Sequence, residues 1–221
     1  MASPARPLAH PPSTKPFRTK AYPGGTFYRV HRFDAATGKY AADAFNDTAR
    51  GNARFSPLVD PVSGKVVPTI YAAQTRRGAI AEIVLHDVPT PSAGHLHDWE
   101  QDKEGDLHLS EIELATGIEL VNLTTTGLRA AGLDPADLFQ PDVRDYPRTQ
   151  AWGFHIWQQY PHAKGLAWMS VRDNTCLVVM LFGDRVSTGD LSHHGVSAPI
   201  ASYEADVLLL LDELGCGIVI P

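Results

Sequence analysis

Hydrophobic and polar positions alternate in several short segments of the chain, and this pattern predicts a fold rich in β-strands. Residues 26–32 are the clearest case, because aromatic and β-branched residues dominate and Arg29 and His31 share one face. Residues 66–73 form a second candidate, in which Pro68 favours an edge position or the start of a strand. Further strands are predicted at 107–114, 118–123, 165–171, 176–183 and 217–220.

Turn residues separate two pairs of these predicted strands. We expect 107–114 to pair with 118–123 across the turn at 115–117, and 165–171 to form a hairpin with 176–183. Both expectations favour a largely antiparallel sheet, since such short connections join antiparallel neighbours.

A helical period appears directly after the second strand. Thr75 is a candidate N-cap, and the apolar residues at 79, 80, 83 and 84 form one stripe, with Glu82 beside it. Strands and helices are interspersed without a regular βαβ repeat, so the sequence predicts the α+β class. Further helices are predicted at 127–133, 135–139, 149–160 and 202–214.

Two segments lack periodicity. Residues 1–22 are rich in proline and basic residues, and they are predicted to be a flexible N-terminal arm. No apolar stretch of signal-peptide length occurs in this arm, so we expect a cytoplasmic protein. Residues 23–221 are predicted to form a single domain with an insertion at about 88–106.

Composition and charge narrow the function classes. The chain has 221 residues, of which 43% are hydrophobic and 20% charged, which suits one sizeable core. Its formal net charge of −6 gives no support for direct binding of nucleic acid, which requires clustered cations. The longest purely apolar run, 176–182, is far below the roughly 18 residues of a membrane span, so no membrane partner is expected.

The common nucleotide-binding and hydrolase motifs are missing from the sequence. It contains no Walker loop, no G-x-G-x-x-G and no G-x-S-x-G. What remains is a dispersed set of chemically capable residues, each of which alone has an ordinary structural explanation. The set consists of Arg29, Arg54, Tyr71, Glu82 and Ser170.

The order and context of these residues resemble the RES domain family, which is named for an arginine, a glutamate and a serine. Arg29, Glu82 and Ser170 match these three residues. The second motif departs from the family pattern, because Ala53 stands where a glycine is common. The segments that carry the resemblance are 26–32, 52–57, 70–73, 79–82, 146–153 and 165–172.

The resemblance implies a fold and a function. Members of the family are toxins of bacterial toxin–antitoxin pairs, with a mixed or antiparallel sheet surrounded by helices as in ADP-ribosyltransferases. They consume NAD as a substrate, with no separate cofactor, by phosphorolysis or hydrolysis of the nicotinamide–ribose bond or by ADP-ribosylation of a protein. The resemblance also implies inorganic phosphate as one acceptor, a helix-turn-helix antitoxin of the Xre type and a homodimer. The choice between the acceptors stays open at this stage.

The side chains suit such a reaction on chemical grounds. Arg29 and Arg54 offer bidentate donors to the pyrophosphate of NAD, and Tyr71 offers a ring for the cationic nicotinamide. Glu82 is expected to face the positive charge that develops on the ribose, and Ser170 to donate to ribose or phosphate. Glu82, Arg29 and Ser170 are therefore the predicted catalytic set.

Two hypotheses from other classes compete with this one. The first is a metal-dependent hydrolase or oxygenase that uses the imidazole and carboxylate groups of His95, His97, Glu100 and His108. The second is an inert interaction module, for which Arg29→Ala or Glu82→Ala would leave the biological effect unchanged. The preferred hypothesis assigns no metal.

Overall fold

A curled, nine-stranded sheet forms the centre of the protein, as seen in a computed structural model that describes residues 16–34, 36–86, 88–89, 94–139, 146–187, 189–193, 195 and 197–219. Its strand order is β1-β8-β9-β10-β5-β2-β7-β11, with β12 also paired to β7, and its one parallel pair is β8 with β9. The strands of this sheet are β1 (Thr19–Tyr22), β2 (Gly25–Arg32), β5 (Thr69–Ala73), β7 (Leu107–Leu114), β8 (Ile118–Asn122), β9 (Gly165–Met169), β10 (Leu177–Phe182), β11 (Leu191–His193) and β12 (Ala198–Pro199).

Helices and two small sheets complete the architecture. The pairs β3 with β4 and β6 with β13 form separate two-stranded sheets. The α+β prediction with a mostly antiparallel sheet is confirmed. The remaining elements are β3 (Leu58–Val59), β4 (Val66–Val67), α1 (Arg76–Ile83), β6 (Leu96–His97), α2 (Trp99–Glu104), α3 (Thr125–Ala130), α4 (Ala136–Phe139), α5 (Tyr146–Gln159), a 3₁₀ turn (Ile200–Tyr203), α6 (Glu204–Glu213) and β13 (Gly217–Ile218).

Local patterns predicted most of these elements correctly. The β9–β10 hairpin forms as expected, and the Thr75 side chain caps α1 by accepting a hydrogen bond from the Gly78 N–H at 3.0 Å. Pro68 divides the predicted second strand into β4 and β5, because proline has no N–H to donate to a sheet. β5 nevertheless lies in the middle of the large sheet, between β10 and β2.

The predicted pairing of β7 with β8 is wrong. β7 pairs with β2, whereas β8 pairs with β1 and β9. β1 and β2 are successive in the chain, and so are β7 and β8. β1 pairs with β8 and β2 pairs with β7, so the four strands form one bent ribbon and the sheet curls back toward itself. Gly24 lies at the bend, where an added Cβ would come within 2.4 Å of the Leu114 carbonyl oxygen, so the strands approach closely only with glycine there.

The prediction of a flexible arm at 1–22 is wrong for residues 16–22. Residues 1–15 lie outside the described part of the chain, but β1 pairs with β8 along its whole length. Phe17 is 5% exposed and packs edge-on against Trp152 of α5. Residues 16–22 are thus part of the fold, because β1 forms one edge of the sheet and the side chains of Phe17 and Tyr22 are buried.

The predicted insertion is more ordered than its composition indicates. It contributes β6 and α2, and its Trp99 is only 1% exposed and donates a hydrogen bond from Nε1 to Glu204 at 2.8 Å. Residues 87 and 90–93 lie outside the described part. Within the residues that the structure describes, no helix is long and apolar enough to span a membrane.

Two hydrophobic clusters lie on opposite faces of the sheet. The smaller cluster contains alternate residues of the strands, including Phe27 of β2 and Ile70 of β5. The larger cluster contains the other strand face together with residues from the helices, including Ile80 of α1 and Trp152 of α5. The position of a side chain on a strand therefore decides whether it points toward the helices or away from them.

α1 lies very close to the turn that joins β9 to β10. A Cβ at Gly78 would come within 2.2 Å of the Cys176 Sγ, so only glycine allows this approach. The Thr75 hydroxyl also donates to that sulfur at 3.2 Å. This contact brings the side chains of α1 next to residues 170–176.

Candidate functional site

Four of the five candidate residues lie together on the helix-bearing face of the sheet. Glu82 is in the last turn of α1, Tyr71 is on β5, Ser170 follows β9, and Arg54 is in the loop before β3. The Ser170 hydroxyl bonds to Glu82, and the charge of Arg54 interacts with Glu82 and Tyr71. Arg29 lies elsewhere.

The Glu82 carboxylate is anchored through one of its two oxygens. Oε1 accepts a hydrogen bond from the Ser170 hydroxyl at 2.5 Å and another from the Val171 N–H at 3.2 Å. Oε2 has no protein partner within the described part of the chain, and the side chain is half-buried. One oxygen thus fixes the carboxylate while the other is left for a ligand.

Ser170 positions Glu82. It is 3% exposed, and its oxygen also accepts hydrogen bonds from the N–H groups of Arg172 at 3.0 Å and Asp173 at 2.9 Å. A hydroxyl has a single hydrogen to donate, and Ser170 gives it to Glu82. In this structure that hydrogen is donated to Glu82, and the donation from Ser170 to ribose or phosphate stays a prediction.

Arg54 is a cation whose charge interacts with that of the Glu82 carboxylate. Its Nη1 donates to the Leu138 carbonyl at 3.0 Å, and its guanidinium lies over the rings of Phe139 and Tyr146, at 5.8 and 5.4 Å from their centres. Burial lowers the pKa of Arg54 below its ordinary value, and Tyr146 and Glu82 oppose that effect. An arginine keeps its charge at neutral pH even so, and Arg54 can bind an anion.

α5 holds the loop that carries Arg54. The Thr149 hydroxyl donates to the Arg54 carbonyl, and Gln150 Nε2 donates to the carbonyls of Ala53 at 3.1 Å and Ser56 at 2.9 Å. Sequence analysis assigned no role to Thr149 or Gln150, although both lie in the segment 146–153 that carries the resemblance. They fix the loop, and through it the position of the Arg54 guanidinium.

Tyr71 connects the same loop to an aromatic wall. Its hydroxyl accepts a hydrogen bond from the Phe55 N–H at 3.3 Å, and its ring packs edge-on against Trp168 at 6.0 Å. Burial raises the pKa of Tyr71, so the phenol is neutral at physiological pH. Phe139 stacks on Trp168 at 6.3 Å and extends the wall toward Arg54. Stacking of Tyr71 on a nicotinamide ring stays a prediction.

Arg29 faces the opposite side of the sheet. It lies on the same face of β2 as Phe27, toward the smaller cluster, because strand side chains alternate. Its Nη1 donates to the carbonyls of Ala42 at 2.7 Å and Ala44 at 2.8 Å. Burial lowers the pKa of Arg29 to about 10, so it remains charged. The structure thus corrects the predicted grouping: Arg29 fixes the 42–44 loop and does not lie with Arg54 and Glu82.

Sequence analysis missed a second cation beside the site, Arg172. Its Nη2 donates to the His86 carbonyl at 2.5 Å, and its Nη1 donates to the Val88 carbonyl. Its charge also contributes to lowering the pKa of Arg54. The signal available in the sequence was its place in the motif 165–172, two residues after Ser170.

The histidines of the competing metal hypothesis have other neighbours. His97 Nε2 lies 2.8 Å from the Asp102 carboxylate, and the His108 ring packs edge-on against Phe33. Within the described ranges, no three His, Cys, Asp or Glu side chains converge as a metal-binding group.

Comparisons with known proteins found a matching family model and a similar solved structure. A family model described as RES domain matches residues 26–196. A chain in the crystal structure of the M. tuberculosis MbcT–MbcA toxin–antitoxin complex is similar in structure, with a TM-score of 0.59 and 22% sequence identity over 86% of this chain and 92% of that chain. Curated proteins gave no match. At this level of identity, the structural likeness demonstrates a shared fold.

Proposed function

This chain belongs to the RES domain family, and on that basis we propose that it is the toxin of a toxin–antitoxin pair that cleaves the nicotinamide–ribose bond of NAD. The observation that carries the proposal is the Glu82 carboxylate, which Ser170 and Val171 anchor through Oε1 and which interacts electrostatically with the half-buried cation Arg54. A fixed carboxylate and a fixed guanidinium on the same face of the sheet suit a substrate that has both a positive centre and a phosphate.

Glu82 stabilises the charge that develops during cleavage. When the bond between the ribose C1′ and the nicotinamide nitrogen breaks, nicotinamide leaves with the electron pair and the ribose becomes positively charged, as in glycoside hydrolysis. A carboxylate already held in place stabilises this charge without the cost of reorganisation. The anchored Oε1 supplies that rigidity, and Oε2 faces the substrate.

Arg54 binds the pyrophosphate. Its guanidinium has planar donors that match phosphate oxygens, and only Nη1 is used for the Leu138 carbonyl. The rings of Phe139 and Tyr146 hold the guanidinium plane, which reduces the side-chain entropy lost on binding. Arg54 thus binds the substrate, and Glu82 acts on the bond that breaks.

The acceptor distinguishes the possible products. Water gives ADP-ribose, inorganic phosphate gives the phosphorylated sugar, and a protein side chain gives an ADP-ribosylated protein. In each case an acceptor oxygen or nitrogen bonds to C1′ and gives up a proton. An antitoxin of the helix-turn-helix type and a homodimer are the partners that family membership suggests, and the solved toxin–antitoxin complex supports an antitoxin as partner.

Release of nicotinamide from NAD by the purified protein tests the proposal. We compare the wild type with Glu82→Gln and with the matched control Glu100→Gln, a partly exposed carboxylate that pairs with Lys103 within α2. Wild type and Glu100→Gln should release nicotinamide at the same rate, and Glu82→Gln should lose about 10²-fold or more in kcat.

Further arms of the same assay identify the acceptor. A rate that rises with inorganic phosphate identifies phosphorolysis, and label transferred from NAD to protein identifies ADP-ribosylation. A wild-type protein that neither releases nicotinamide nor transfers label would refute the proposed function.

A further inference from the structure

Arg172 links the turn at 170–173, which begins with Ser170, to the chain that follows α1. Its backbone N–H donates to Ser170 Oγ at 3.0 Å, while its guanidinium donates to the carbonyls of His86, at 2.5 Å, and Val88. Val88 is 1% exposed, so its carbonyl requires a donor from the protein. One residue therefore connects two segments that are about eighty positions apart in the sequence.

These hydrogen bonds form a closed network that includes the Glu82 carboxylate. Glu82 bonds to Ser170, Ser170 accepts from Arg172, and Arg172 bonds to His86, which is four residues after Glu82 in the chain. The distance between the turn and the end of α1 is thereby fixed from both sides. Thr75 and Arg77 join the turn to the first part of α1, through Cys176 and Asp173, whereas Arg172 joins it to the chain that follows Glu82.

We propose that Arg172 is the positioning residue that fixes the Glu82 carboxylate for the reaction, an inference that rests on the proposed function. Its guanidinium donates to two backbone carbonyls and its backbone N–H donates to Ser170, so its assigned role is to act through Ser170 and Glu82. The two carbonyls require a planar fork, which arginine has and lysine lacks.

The chain offers a matched control in Arg185. This residue also donates to backbone carbonyls, those of Tyr160 at 2.8 Å and Ala163 at 2.9 Å, together with that of Trp157. These acceptors lie at and beyond the C-terminal end of α5, whereas Thr149 and Gln150 hold the Arg54 loop near its beginning. Arg185→Gln thus removes similar bonds without touching the site.

The experiment compares Arg172→Gln, Arg172→Lys and Arg185→Gln with the wild type, with kcat and KM measured from nicotinamide release. We expect Arg172→Gln to lose about 10²-fold in kcat with KM within about twofold of wild type, since small misplacements of a reacting group have effects of this size. Arg172→Lys, which reaches one carbonyl at a time, should retain an intermediate kcat. Arg185→Gln should lower the melting temperature and leave kcat unchanged.

Hydrogen exchange of the amides at 171–173 provides a measurement that does not depend on activity. Exchange should become faster in Arg172→Gln and stay unchanged in Arg185→Gln. Unchanged exchange, an unchanged kcat in folded Arg172→Gln, or a raised KM with unchanged kcat would each overturn the inference. If Arg172→Gln does not fold, Arg172→Lys decides by the same criteria. A wild type without activity would instead refute the proposed function.

Discussion

Ser170→Ala tests whether the serine acts on the carboxylate or on the substrate. The substitution removes the 2.5 Å hydrogen bond to Glu82 and the acceptor for the N–H groups of Arg172 and Asp173. A hydrogen bond to a charged group contributes about 1.5–3 kcal/mol, and the Val171 N–H still donates to the same oxygen. We expect the free energy of unfolding to fall by about 2–3 kcal/mol, which lowers the melting temperature by roughly 4–12 °C in a chain of this length.

The effect on activity separates the two roles. If Ser170 aligns Glu82, kcat falls by about 10²-fold while KM for NAD changes little, because substrate binding relies on other groups. Thermal unfolding and initial rates of nicotinamide release over a range of NAD concentrations measure both quantities on the same preparations.

Ser110→Ala is the matched control. Ser110 is 1% exposed and its hydroxyl also bonds to a titratable side chain, His31 Nε2 at 2.8 Å, on the face of the sheet away from Glu82. It should lose stability and keep both kcat and KM. A Ser170→Ala protein with raised KM and normal kcat would refute the reasoning, since the serine would then contact substrate. An equal fall of kcat in Ser110→Ala would assign the effect to general destabilisation.

Two further predictions concern the other face of the sheet. Arg29→Gln leaves the carbonyls of Ala42 and Ala44 without their donor, so thermal unfolding should show that the free energy of unfolding falls by about 2–3 kcal/mol. Isothermal titration of the folded variant with NAD should show unchanged affinity. A loss of NAD affinity at unchanged stability would contradict this prediction. Burial lowers the pKa of His31 to about 4, so the unfolded chain binds one more proton than the native state between about pH 6.5 and 4. Stability should therefore be complete above pH 6.5 and decrease by up to about 3 kcal/mol as the pH falls to 4, and denaturant titrations should show a weaker dependence in His31→Gln.

Local sequence patterns predicted much of the fold because they act over a few residues. The strand at 26–32, the Thr75 cap of α1 and the β9–β10 hairpin each follow from alternation, helical period or a nearby turn. The order of the motifs likewise pointed to Arg54, Tyr71, Glu82 and Ser170, which the structure brings together. Composition misled the prediction for the N-terminal arm, whose residues 19–22 form β1, and a short turn misled the pairing of β7 with β8.

The sequence by itself determined the fold class, the main local elements and three of the groups that lie with Glu82, which are Arg54, Tyr71 and Ser170. Only the tertiary structure decided which strand pairs with β7, on which face of the sheet Arg29 lies, and to which group Ser170 gives its single hydrogen. Alternation within a strand places two residues on one face, but the helices and strands that cover that face come from distant parts of the chain. Since burial and hydrogen-bond partners depend on those distant parts, the role of each side chain is decided only by the tertiary structure.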